Sequence, residues 1–428
     1  MESKSNGNIP NLFVISVDGL NPNYIFGADK YALQIPNFRR FLTEGSYADV
    51  VKCVFPTLTY PGHAALITGV DSAKHGISNN IFDCPDEEHG NVWMWFSSDI
   101  KVPTLWGCAT EAGLITASID WPVSVGANIN YNIPQYWRFK NFHDNKILEA
   151  MSTKGLLAEI EKAVGPYPPG DFSLEADLQK LKFSLYLIEN KKPQFTTLYF
   201  ASLDEDSHHY GPYTKEVFST LEEIDRAIGV LMNTIKNVYG DQSIIAIVSD
   251  HGFVKTDQCI NINTMFEKSG LLEVDDSGKL SKWKVYATCK YGTAIVRFKD
   301  PKDIDSLIKC ELILHDLLLH PSQCVEKIVE RPSISETDGN PSAEFLVVAN
   351  EGFHFENKFV GPLIDETPYK GQHGFLPEHP GMDASFFIMG QNISKGKNLG
   401  AIEMTDIAPT LANLMGFSFP SADGKNIL

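Results

Sequence analysis

Three acids in this chain each close an apolar run. Residues 11–17 lead into Asp18-Gly19, residues 195–203 into Asp204, and residues 244–249 into Asp250-His251-Gly252. Four positions beyond Asp204 stands His208, and five beyond it His209. On a helical turn the fourth residue lies roughly 40° round the axis and the fifth roughly 140°. His208 therefore shares a face with Asp204 and His209 does not. A carboxylate and an imidazole on one face form a ligand pair for zinc or a similar divalent cation. A further histidine, His373, is framed by glycines in Gly371-Gln372-His373-Gly374, where the backbone can approach a site closely. A hydroxyl beside such a cation loses its proton near neutral pH and attacks phosphorus or sulfur. Thr57 and Thr59, in the segment Phe55-Pro56-Thr57-Leu58-Thr59-Tyr60-Pro61, are both candidates, and residue chemistry alone does not choose between them. Taken singly, each feature has a plainer role, because Asp-Gly closes turns and threonine caps helices. Their coincidence at several run ends points to one site.

For these side chains to meet, the elements carrying them must end at one edge. Runs apolar on both faces read as parallel strands covered by helices, and open α/β sheets bind ligands beyond the carboxyl ends of such strands. The predicted fold is α/β, with a largely parallel central sheet between helices. Helices are predicted over 36–45, 64–69 and 103–113, and strands over 47–54 and 115–119. The stretch 131–136, rich in Asn, Pro and Tyr, reads as a loop over the sheet. Residues 214–236 form the clearest helix, with Val217, Leu221, Ile224, Ile228, Leu231 and Ile235 on one stripe. Between 253 and 370 the pattern shifts to shorter strands, 294–298 and 345–349, around a helix near 303–319. This predicts an inserted α+β cap subdomain, 253–370, on a catalytic core of 1–252 and 371–428. The core resumes with a strand over 385–389 and a helix over 405–415, with Thr405 as N-cap and Gly416 as stop.

The bulk numbers exclude some partners. With 428 residues, 43% hydrophobic and 21% charged, the chain is ordinary globular protein. A formal net charge of -18 argues against a nucleic-acid polymer held through counterion release. A small phosphate ester remains open, provided metal ions supply the positive charge. The seven cysteines form no CxxC pair and read mostly as buried thiols. No run approaches a membrane helix and the polar start is not a signal peptide. The expectation is an intracellular protein, or a periplasmic or secreted one whose leader was removed.

Along the chain, Asp18-Gly19, Phe55-Pro56-Thr57-Leu58-Thr59-Tyr60-Pro61, Thr68-Gly69, His75-Gly76-Ile77, Asn80, Asp204 with His208, Asp250-His251-Gly252 and Gly371-x-His373-Gly374 follow one another. This series resembles the nucleotide pyrophosphatase/phosphodiesterases of the alkaline phosphatase superfamily, over essentially the whole chain. The resemblance implies two Zn²⁺ ions, one held by Asp204, His208 and His373, the other by Asp18, Asp250, His251 and the Thr59 oxygen. It also selects Thr59 over Thr57 as the nucleophile, with a phosphothreonine intermediate. Asn80 would donate to a phosphoryl oxygen, Tyr60 would pack against a nucleobase, and Tyr199 matches a second aromatic of that slot. The implied substrate is a nucleotide-like phosphodiester or pyrophosphate. No arginine lies in the matching motifs to favour a monoester dianion, although Arg138 can reach in from a loop. Two departures stand out: Gly62 replaces a common asparagine and can alter the substrate pocket, and Ser207 replaces a glycine in what reads as a local turn difference.

Other readings share the scaffold. A phosphonoacetate-type hydrolase or a phosphomonoesterase would use the same ligands. A non-enzymatic metal-binding module is the third, disfavoured because all seven implied ligands and Asn80 are present.

Overall fold

The computed structural model of the protein describes residues 9–82, 92–136, 144–168, 172–330 and 343–428. Arg138 and Cys84 lie outside the described residues. An eight-stranded sheet forms the centre. Its strands, in chain order, are β1 (Asn11–Val17), β2 (Ser46–Tyr47), β3 (Thr116–Ile119), β4 (Tyr131–Ile133), β5 (Phe195–Phe200), β6 (Ser243–Val248), β7 (Phe386–Gly390) and β8 (Lys397–Asn398). The spatial order is β8-β2-β7-β6-β1-β5-β3-β4. β6, β1, β5, β3 and β4 are parallel, while β7 runs antiparallel to both β6 and β2. Sequence and structure agree on an α/β fold with a mostly parallel sheet.

β1, β5 and β6 are buried along nearly their whole length on both faces, which is why each writes a continuous apolar run. Two groups of helices supply the cover. α1 (Pro36–Glu44), α4 (Leu174–Asn190) and α6 (Lys215–Tyr239) pack together, as do α2 (Thr59–Thr68), α3 (Leu105–Glu111) and α8 (Ile407–Leu414). One helix start matters most here: α5 (Ser202–Tyr210) follows β5 after a single residue. Among the described residues no helix is long and apolar enough to cross a membrane.

Several local expectations are corrected. Residues 131–133 are not a loop but the edge strand β4, paired in parallel with β3; the Asn132 Nδ2 group donates to the Ser124 carbonyl at 2.8 Å, which anchors the polar residue that suggested a loop. The strand expected over 47–54 is two short pieces, Ser46–Tyr47 and Val50–Lys52. The helix expected from 64 begins at Thr59, because Pro61 falls in its first turn, where a missing N–H costs nothing. Thr405 is not the cap of α8; Glu403 and Asp406 form a capping box around a short 3₁₀ turn that leads into it.

Residues 254–382 contribute a second hydrophobic core, with Ile262, Phe266, Val285, Val296, Leu314 and Val347 at its centre. Its main sheet is antiparallel, in the order Val285–Lys290, Thr293–Phe298, Ala343–Ala349, Val325–Glu330, and α7 (Ile304–Leu318) packs on it. All six described cysteines are free thiols, four of them buried.

Candidate active site

β1, β5 and β6 end at one level, because Val17 pairs with Phe200 and Ser16 with Val248. Asp18 follows β1 directly, and Asp250-His251 follows β6 after Ser249. Asp204 arrives by another route. The run 195–203 breaks into β5 and the start of α5, so Asp204 lies in a first helical turn with His208 four residues on. The N-cap Ala201 has no side chain to offer that turn. The Asp177 carboxylate, from α4, accepts the N–H groups of Ala201 and Ser202 at 3.1 and 2.8 Å instead.

His208 Nε2 lies 3.4 Å from Asp204 Oδ2, and His373 Nε2 lies 3.9 Å from Asp204 Oδ1. Nδ1 of His208 donates to the Gly371 carbonyl and Nδ1 of His373 to the Thr57 carbonyl, both at 3.1 Å. A carbonyl only accepts, so these bonds fix the tautomer and leave each Nε2 as a lone-pair donor facing the acids. The glycines beside His373 are required by space. A Cβ at Gly371 would stand 2.5 Å from the Ser207 carbonyl oxygen, and one at Gly374, where φ is +80°, would stand 1.9 Å from that of Lys290. His209 turns away, bonding back to the Glu205 carbonyl at 2.8 Å with an exposed ring.

His251 stands between two groups. Its Nε2 is 3.1 Å from Asp250 Oδ2, 3.5 Å from Asp18 Oδ1 and 3.5 Å from Thr59 Oγ1. Its ring stacks on that of His373 at 3.9 Å and 18°. Ligand atoms of Asp18, Asp250 and His251 lie within 4.8 Å of one another, as do those of Asp204, His251 and His373. The second triangle includes His251, while His208 lies on the other oxygen of Asp204 with its ring centroid 5.1 Å from that of His373.

One oxygen of each acid, Asp18 Oδ1, Asp204 Oδ1 and Asp250 Oδ2, is buried without a hydrogen-bond partner. Burial pushes the Asp18 carboxyl up to about 7, and those of Asp204 and Asp250 well above the carboxylate range. The same burial lowers His208 to about 4 and holds His251 and His373 well below the usual imidazole value. Neutral imidazoles and acids without a counter-charge are the donor set that divalent cations fit.

Thr59 opens α2, and its neighbours set the site's floor. The Tyr60 N–H, one of the helix's unpaired donors, goes to Asn80 Oδ1 at 2.9 Å. Thr57 is committed elsewhere, its hydroxyl donating to the Phe375 carbonyl at 2.6 Å. His63, which the sequence did not single out, is fully buried behind the cluster. Its Nδ1 donates to the Thr59 carbonyl at 2.7 Å, and its Nε2 accepts from the Ser16 hydroxyl at 2.8 Å. It thereby ties α2 to β1.

A cavity of about 350 Å³ opens over the cluster, lined by Thr59, Tyr60, Asn80, Tyr199, Asp204, His208 and His373 and further walled by Trp93, Phe172, Tyr291 and Tyr369. Tyr60 is almost wholly buried, with its ring tilted against the half-buried Trp93 at 5.3 Å. Tyr199 borders the cavity too, but its hydroxyl is engaged by Asp18. Gly62 does not line the cavity at all; it lies against Asp250. Ser207 closes a bond inside α5, to the Leu203 carbonyl at 2.7 Å.

An α/β fold whose candidate metal ligands gather beyond the carboxyl ends of its parallel strands is the class that this sheet and this edge-of-sheet cluster define. The chain belongs to the type I phosphodiesterase / nucleotide pyrophosphatase family, whose family model matches residues 12–376. It is 24% identical to bis(5'-adenosyl)-triphosphatase ENPP4 of Pongo abelii over 421 residues, covering 95% of this chain and 78% of that one. Venom phosphodiesterase 2 of Crotalus adamanteus is 30% identical over 253 residues, 56% of this chain and 26% of that one. Among solved structures, an inactive threonine-to-alanine variant of murine ectonucleotide pyrophosphatase/phosphodiesterase 5 with AMP superposes with a TM-score of 0.69 at 19% identity, over 97% of both chains. The comparisons place the protein among phosphoric diester hydrolases.

Proposed function

We propose that the protein is a two-zinc phosphodiesterase/nucleotide pyrophosphatase, cleaving phosphodiester or pyrophosphate bonds of nucleotide-like small molecules through a phosphothreonine intermediate. The observation that supports this most is the place of the Thr59 hydroxyl, 3.5 Å from His251 Nε2 at the start of α2, beside three buried and unpartnered carboxylate oxygens. Asp204, His208 and His373 would hold one ion, and Asp18, Asp250, His251 and Thr59 the other. Bound there, the ions would supply the positive charge that lowers the hydroxyl's pKa and offsets charge on the phosphate.

Thr59 Oγ1 attacks phosphorus in line, its proton leaves to solvent, and the bond to the leaving oxygen breaks. Asn80 is oriented for this step: with Oδ1 taken by the Tyr60 N–H, its amide N–H groups are left to donate to a phosphoryl oxygen. The amino end of α2 aims its dipole at the same place. Water then attacks the phosphothreonine and restores Thr59. Three carboxylates and an ionised Thr59 balance two divalent ions, so the site suits the single charge of a diester. Among the described residues lining the cavity there is no lysine or arginine to receive the second charge of a monoester. The nucleotide arm is inferred from relatives, one named for a bis-adenosyl triphosphate and one bound to AMP; Trp93, with Tyr60 beneath it and Phe172 nearby in the wall, would receive the base.

The test compares hydrolysis of an aryl nucleoside monophosphate diester with that of an aryl phosphate monoester, using zinc-loaded protein. A large preference for the diester is expected. Preference for the monoester would make the protein a phosphatase. Thr59→Ala should abolish turnover while two zinc ions stay bound; turnover retained in that variant would remove Thr59 from the mechanism.

A further inference from the structure

Tyr199 carries a hydrogen bond that a nucleobase slot does not call for. Its hydroxyl donates to Asp18 Oδ2 at 2.5 Å. The ring is 3% exposed and held on two sides: edge-on against His63, with centroids 4.9 Å apart at 86°, and with the Lys180 ammonium 5.3 Å from its centroid. Lys180 is itself fixed, 2.6 Å from Asp120 and 3.1 Å from Asp177, and 1% exposed. The phenol therefore has one place to be. With Oδ2 occupied, the other oxygen of Asp18 is the buried atom without a partner, and it lies 3.5 Å from His251 Nε2, on the side of the group formed with Asp250 and His251.

We infer that Tyr199 is a positioning residue, which occupies one oxygen of Asp18 so that the other alone faces the cation beside Thr59. The inference rests on the two-cation reading above. Groups that hydrogen-bond a metal-bound carboxylate set its orientation, and their loss costs about ten- to a hundredfold in metal affinity or activity. Without the phenol, Asp18 Oδ2 would be buried with nothing to hold it, and the carboxylate would turn. The buried trio of Lys180, Asp120 and Asp177 acts one layer further out, by keeping the ring still.

The experiment is a zinc titration of metal-free wild type and Tyr199→Phe by calorimetry, with kinetics and the visible spectrum of the cobalt-substituted proteins alongside. The variant is expected to melt near the wild-type temperature, to bind one of its two zinc ions at least about tenfold more weakly, to show a changed cobalt spectrum, and to lose kcat at unchanged KM. Two sites of wild-type affinity with an unchanged cobalt spectrum would overturn the inference. A rise in KM alone would overturn it in favour of the base-slot role. Wild type that binds no zinc tightly would instead sink the two-cation reading, and this inference with it. If Tyr199→Phe does not fold, fluorotyrosine at position 199 keeps the shape and strengthens the donor; an unmoved cobalt spectrum then overturns the inference.

Discussion

Gly62 sits where α2 crosses the loop of Asp250, and a Cβ there would come 2.7 Å from the Asp250 Cβ and 3.1 Å from its carbonyl oxygen. The residue lets the helix that begins at Thr59 lie directly against the acid. An alanine must push one of the two away, and both carry groups whose spacing matters. Overpacking of this kind costs about 1–3 kcal/mol, and a displacement near 1 Å at a reacting group costs on the order of a hundredfold in rate. Gly62→Ala should therefore lower kcat by about ten- to a hundredfold and lower the melting temperature, with KM little changed. Wild-type kcat in that variant would mean that α2 and Asp250 can part without consequence. Ser207 is fully buried and its hydroxyl donates to the Leu203 carbonyl inside α5, away from the cavity.

At the scale of elements, Glu356 follows the strand Gly352–Phe355 that pairs with Val254–Ile260, and it joins two partners to that edge. Its Oε1 lies 3.3 Å from His354 Nε2 and its Oε2 3.2 Å from Lys358 Nζ. The hydrogen bond from His354, helped by Lys358 against the opposing effect of burial, lowers its carboxyl to about 2. A folded pKa below the unfolded value stabilises the protein above about 4.5 and loses that stability as pH falls toward 2. Solvent screens the half-buried carboxylate and its exposed lysine partner, so the span is on the order of 1 kcal/mol. In metal-free protein, wild type should lose its margin over Glu356→Gln across that window when unfolding is measured by denaturant; parallel pH curves would rule the pair out as a source of stability. Legibility also divides by element. The acids after β1 and β6 were readable because parallel strands buried on both faces write continuous apolar runs. The same signal marks Asp120, directly after β3, yet Asp120 is paired with Lys180. An acid at a run's end thus marks the edge of the sheet, and only its neighbours decide whether it is a ligand. α4 escaped notice because its buried face carries Asp177, Lys180 and Ser184, which interrupt the apolar stripe. The start of α5 was hidden because its cap, Asp177, lies 24 residues earlier than Ala201.

Across the whole molecule, the candidate ligands come from far-apart segments: Asp18 from β1, Asp250 and His251 from β6, Asp204 and His208 from α5, and His373 from the segment that returns out of the second core. A bound cation would link that segment to the central sheet, while the metal-free protein must bury three acids with one unpartnered oxygen each. Burying a charge without compensation costs several kcal/mol, and ligand binding to the folded state alone returns stability in proportion to occupancy. The two effects oppose each other at the same residue. Asp250→Asn keeps the shape of a fully buried side chain and removes its charge. In chelator, this variant should therefore melt higher than wild type, by several degrees for each kcal/mol gained. In saturating zinc the order should reverse, because wild type gains a cation that the variant holds poorly. The melting temperatures of the two proteins would then cross as free zinc rises. A variant less stable than wild type in both conditions would show that Asp250 serves the fold through the hydrogen bond it accepts from the Gly19 N–H, and not through a cation.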